Sequence, residues 1–204
     1  MRKLAALVAV LTAFLVMAAP AGAATVFKDH FHGKIAEAGW EQDTATTSTF
    51  VTVEASSNET FLDVFQAHLD AQGNFTGAVD TTADVTSGFS LSIAKAYGSA
   101  HLSGSGLAAQ QCTFDSNGDL IGCTATTMAV DVHWTATDAL QHGVSNDHFS
   151  GDGFSFSDHF NGAFRDAAAS GTVGGVSVDP SSQEFGDLGR TNSSSISRCL
   201  GKNC

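Results

Sequence analysis

Met128-Ala129-Val130-Asp131-Val132-His133-Trp134-Thr135 sets a large apolar side chain against a small or polar one at every step. A β-strand sends successive side chains to opposite faces. The stretch therefore reads as a strand with Met128, Val130, Val132 and Trp134 on a dry face and Asp131, His133 and Thr135 on a wet one. The same period recurs on either side of it. Val51 and Val53 alternate with Thr52 and Glu54, and Phe89, Leu91 and Ile93 with Ser90, Ser92 and Ala94. Phe75, Val79, Ala83 and Val85 alternate with Thr76, Asp80, Thr82 and Asp84, and Phe27, Phe31 and Ile35 share one parity opposite Lys28, His30, His32 and Lys34. One-sided alternation belongs to antiparallel sheets, because parallel strands covered on both faces read as unbroken apolar runs. Only 2 prolines but 21 glycines, with many Thr and Ser, argue against helix. Residues 58–73 fit either a helix or a strand with Phe61, Phe65 and Leu69 inward; the all-β context favours the strand. The fold class is all-β, an antiparallel sandwich or closed barrel of about eight to ten strands.

Asp115-Ser116-Asn117-Gly118-Asp119 marks a hairpin, since Asn-Gly tolerates the two positive φ angles of a type I′ turn. With Asn117 and Gly118 as the loop, Cys112 falls opposite Cys123, within disulfide reach. Cys199 and Cys204 then remain to pair at the C-terminus, the most local of the three connectivities that four cysteines allow. Asp115, Asn117 and Asp119 also begin like a calcium loop. That motif needs Gly at its sixth position and an acid at its twelfth, and here those are Leu120 and Thr126. The hairpin accounts for the residues without an ion.

Arg2 and Lys3, the apolar run Leu4–Ala19 and the small residues Ala21-Gly22-Ala23 form a cleavable export signal over residues 1–23. The run is short for a spanning helix, and no second apolar segment of that length follows. Export makes the protein secreted and extracellular, in a compartment where disulfides persist. Residues 24–178 form the antiparallel β domain. Residues 179–204 are a Ser/Gly/Asn-rich C-terminal segment that adds at most one edge strand. Loss of the signal leaves 7 basic against 21 acidic residues, a formal −14. Such a surface repels phosphate backbones, which excludes nucleic acid as a partner and leaves a small molecule or an envelope or extracellular component.

Asp-His-Phe-x-Gly occurs three times, at Asp29–Gly33, Asp147–Gly151 and Asp158–Gly162. His30, His148 and His159 with their flanking carboxylates have the chemistry of a Zn²⁺ or Cu²⁺ site, the one cofactor the sequence suggests. The competing reading is structural: equivalent strand starts with Phe buried and Gly relieving a bend. Alternation favours the second, because histidines beside inward phenylalanines point to solvent. His68, His101, His133 and His142 show no ligand spacing. Catalytic signatures are absent: no Gly-x-Ser-x-Gly, no His-Glu-x-x-His, no Cys-x-x-Cys and no phosphate-binding glycine loop.

The stretch from Phe31 to Trp40, with Val130-Asp131-Val132-His133-Trp134-Thr135 and the later Phe164-Arg165-Asp166-Ala167, resembles small exported actinobacterial proteins of unassigned function. That resemblance implies secretion and a β architecture and brings no catalytic residues. The expected function is a non-enzymatic extracellular β module with a binding or structural role. The alternatives are a small-ligand carrier barrel, whose cavity the 15 phenylalanines would line or fill, and a metal-binding protein.

Overall fold

A computed structural model describes residues 25–151 and 154–199, with side chains for 33–146, 148, 157, 159 and 161–192. The export signal, Cys204 and hence the Cys199–Cys204 pairing lie outside the described residues. The described residues divide into two compact units, one of Phe31–Val144 with Phe160–Ser193, the other of those within 25–30, 145–159 and 194–199. Eleven strands form one sheet: β1 (Thr25–Asp43), β2 (Thr47–Ser56), β3 (Thr60–Leu69), β4 (Phe75–Val85), β5 (Phe89–Ile93), β6 (Ser99–Phe114), β7 (Leu120–Ala136), β8 (Gln141–Gly151), β9 (Phe154–Val173), β10 (Val176–Val178) and β11 (Gln183–Cys199). The order β1-β2-β3-β4-β6-β7-β9-β11 returns to β1, so eight strands close a ring, and the sheet is antiparallel. The segment expected to add an edge strand supplies β11, which lies between β9 and β1 and completes that ring.

Eight strands enclose a space just wide enough for side chains. Here it is filled by Trp40, Trp134, Leu62, Leu102, Leu107, Leu188, Met128 and a set of valines and alanines. Segment 58–73 holds a strand, Thr60–Leu69, and no helix, but the buried face of β3 is Leu62 and Val64, not Phe61 and Phe65. On β1 the buried parity is Ala36, Ala38 and Trp40, opposite to Ile35. Alternation identifies two faces without saying which is inner. In a barrel this narrow, two indoles and many alanines take the interior, and the described phenylalanines are left at or near the outer surface. Each indole also bridges strands that share no ladder: Trp40 Nε1 donates to Ala169 O at 3.4 Å. Gly39 is needed for close approach, because a Cβ there would stand 2.2 Å from the ring of Phe185 on β11.

Cys112 is bonded to Cys123 as the hairpin spacing predicts, with those two residues facing each other. The turn itself differs from the expected two-residue loop. Asp115 O accepts from Gly118 N and Asp115 N donates to Asp119 O, so Ser116 and Asn117 are central and Gly118, at φ +83°, is the residue in the left-handed region. Ile121 is then extra on its strand: Phe114 faces Leu120 and Thr113 faces Gly122. The two irregularities cancel, and the cysteines meet. Asp115 Oδ1 accepts from Asn117 N and Asp119 N, which gives its carboxylate a role in the turn without an ion. Asp70–Asn74 builds the same turn, with Asp70 Oδ1 accepting from Gln72 N and Asn74 N.

Candidate metal centre on the outer wall

On β7 the inward row Met128, Val130, Val132, Trp134 leaves Asp131 and His133 on the outer wall. On β6, Ala100 and Leu102 are buried, so His101 is outward too. Register brings them together: His101 faces His133, and Ser103 faces Asp131. The two imidazoles stack with ring centres 3.9 Å apart and planes 8° from parallel. Both Nε2 atoms turn to one oxygen, Asp131 Oδ1, at 2.8 Å from His101 and 3.4 Å from His133. The three donor atoms lie within 4.8 Å of one another.

A bulge decides this convergence. Cys112–Cys123 and Leu107–Met128 follow one register, while Gly104–Val130 follows another, displaced by one residue. Ser105 and Gly106 on β6 therefore stand against Ala129 alone, and Gly106 adopts φ +65°. Without that extra residue His101 would face Trp134 and miss Asp131.

The surroundings are hydroxyl-rich. Ser92 on β5 flanks His101, and Ser170 on β9 flanks His133; Ser90, Ser103 and Thr172 continue the row of Asp131. A shallow groove of about 380 Å³ beside the imidazoles is lined in part by Ser92, Ser99 and Thr135. Two imidazoles and a carboxylate are the donor set of three-ligand zinc sites, with metal–donor distances of about 2.0–2.2 Å. Tetrahedral placement asks for donors ~3.3 Å apart, within reach of small rotations of the exposed Asp131 and His133 and the half-buried His101.

The histidines singled out by the Asp-His-Phe-x-Gly repeat stand elsewhere. His148 Nδ1 lies 2.8 Å from Ser157 Oγ, and His159 Nδ1 lies 2.5 Å from Asn146 Oδ1. The side chain of His30 lies outside the described residues. Among the described residues, His101, Asp131 and His133 are the group whose donors converge, and His101 and His133 are two of those that showed no ligand spacing in sequence. Asp131-x-His133 in a period-2 stretch was the readable signal, since it puts both on one wet face.

A second concentration of acids lies on the outer wall of β1–β4 and β11. Glu37 directly faces Glu54. Burial first, then the charges of Glu54 and Asp187, push the Glu37 carboxyl up to about 7. Asp63 is likewise pushed to about 7 by burial and by its hydrogen bond and charge contact with Asp80. Asp187 is raised to about 6 by burial, with Asp166 and Asp138 adding to it. No protein family model, curated relative or solved structure matches this chain.

Proposed function

We propose that this protein is an exported, non-enzymatic β-barrel module that binds a divalent transition metal ion through His101, Asp131 and His133. The observation that carries the reading is the meeting of two imidazole nitrogens and a carboxylate oxygen within 4.8 Å on an accessible wall. Nitrogen-rich sets of this kind suit Zn²⁺ or Cu²⁺ over Ca²⁺ or Mg²⁺, which take oxygen. Asp131 serves as a ligand beside the two imidazoles. Export is supported by the leading apolar segment, by the resemblance to exported actinobacterial proteins and by the Cys112–Cys123 disulfide. No helix among the described residues is long and apolar enough to cross a membrane. A carrier role has less support, because Trp40, Trp134, Leu62 and Leu102 occupy the barrel interior.

Calorimetric titration of untagged, metal-stripped protein with Zn²⁺ and Cu²⁺ tests the reading. One ion per chain is expected, with binding lost in His133→Ala and Asp131→Asn and kept in His148→Ala. Absence of binding, or binding that survives both changes at the centre, overturns it.

A further inference from the structure

The hairpin arm formed by β6 and β7 has an open side. β9 pairs with β7 only from Val130 to Ala136, so among the described residues Leu120–Thr127 has β6 alone as its neighbour. Side chains on both faces of that stretch are exposed. Its sequence, Leu-Ile-Gly-Cys-Thr-Ala-Thr-Thr, carries no charge and no proline. Natural sheet edges are guarded by charges, prolines, bulges or short length, and this eight-residue edge carries only the bulge at Ile121, at its turn end. The Cys112–Cys123 bond holds the arm closed on β6, which keeps the free edge extended.

The surroundings specify what would pair with it. Of the five exposed large hydrophobics among the described side chains, four lie at this end of the barrel unit: Phe50 (40%), Phe75 (37%), Leu120 (58%) and Ile121 (68%). Phe50 and Leu120 stand in two neighbouring rows of the wall, Phe50–Phe65–Asp80–Cys112–Cys123 and Ser48–Ala67–Ala78–Phe114–Leu120, while Phe75 faces Leu69. The turns at this end carry Asp43, Asp70, Asp115 and Asp119. Asp115 is held below the usual carboxylate range by hydrogen bonds from Asp119 N and Asn117, and Asp70 by those from Asn74, so both stay charged. The four Lys and Arg residues whose side chains are described lie toward the opposite end: Lys34 beside Ile93, Lys95 before β6, Arg165 beside Asp138, and Arg190 beside Asn161.

We propose that the free edge of β7 at Leu120–Thr127 is a docking site for an extended cationic polypeptide segment with apolar residues at alternate positions. Main-chain hydrogen bonds from an added strand would satisfy the edge. The alternate apolar side chains would continue the wall of Leu120 and Phe114, and lysines or arginines would meet Asp115 and Asp119. A second copy of this chain fits less well, since its own edge at Leu120–Thr127 carries no cation to meet these acids.

The test is fluorescence anisotropy with a labelled eight-residue peptide alternating valine and lysine, and with its valine–glutamate counterpart, against the mature disulfide-bonded protein. The lysine peptide should bind at least tenfold more tightly than the glutamate peptide and weaken as salt is raised. The double change Ile121→Lys, Ala125→Lys, at two exposed positions, should weaken it at least tenfold again with the β-sheet circular dichroism spectrum unchanged. No binding of the lysine peptide, equal binding of both peptides, or unchanged affinity in the variant overturns the proposal. So does sedimentation showing a dimer that the double change dissociates, which would assign the edge to a second copy.

Discussion

Trp134 Nε1 donates to the backbone carbonyl of Glu37 at 3.0 Å, tying β7 to β1, two strands that share no ladder. Removing the donor while keeping most of the ring separates bonding from packing. Trp134→Phe should cost about 1–2 kcal/mol, the price of an unpaired carbonyl. Trp134→Ala should cost about 3–5 kcal/mol because it also opens a cavity in a fully buried site. Urea denaturation followed by circular dichroism measures both.

The acids of the outer wall set the direction of pH dependence. Glu37 and Asp63, at about 7, and Asp187, at about 6, all sit above their ordinary values. A raised carboxyl binds more protons folded than unfolded, so stability falls as pH rises from about 4 to about 7. The melting temperature should be about 5 °C higher at pH 5 than at pH 8, after discounting the half-exposed groups. Glu37→Gln together with Asp63→Asn should flatten that slope. A protein more stable at pH 8 would contradict the electrostatics.

The disulfide closes a loop of sequence separation 11. Cys112→Ser with Cys123→Ser should lower stability by about 2–3 kcal/mol on the loop-entropy estimate. Metal binding at His101 and His133, on the far side of the bulge, should be unchanged, as calorimetry on the doubly substituted protein would register.

Gly106 and Gly118 offer a matched pair. Both have positive φ and open space around a would-be Cβ, so valine at either should cost about 1–2 kcal/mol of backbone strain. Only Gly106→Val alters the bulge that aligns His101 with Asp131. It should weaken metal binding about tenfold or more, whereas Gly118→Val leaves affinity intact.

Much of this architecture is legible in the chain. The alternation of Met128–Trp134 names both the strand and its buried face, and Cys112 with Cys123 fixes the pairing of β6 with β7. What periodicity cannot supply is the choice of face where both are apolar. Phe61, Phe65, Leu62 and Val64 all qualify on β3, and the interior takes the smaller pair because the barrel is narrow. The cluster of His101, Asp131 and His133 depends on a register that the hairpin arithmetic misplaces. Counting back from Cys112 sets His101 against Trp134, and only the extra residue at Ser105-Gly106 restores it to His133. A bulge is a local departure from regular pairing, visible in sequence as nothing more than a Ser-Gly pair among several.

The placement of β11 between β9 and β1 has a consequence for how the chain acquires its shape. The seam is sealed by β11, so a polypeptide made N-terminus first presents two unsatisfied strand margins until the segment around residues 183–193 has been delivered. Closure joins parts about 150 residues apart, the kind of distant pairing that makes folding slow. Truncation before residue 183 should therefore yield an adhesive, self-associating intermediate and not a smaller version of the native protein.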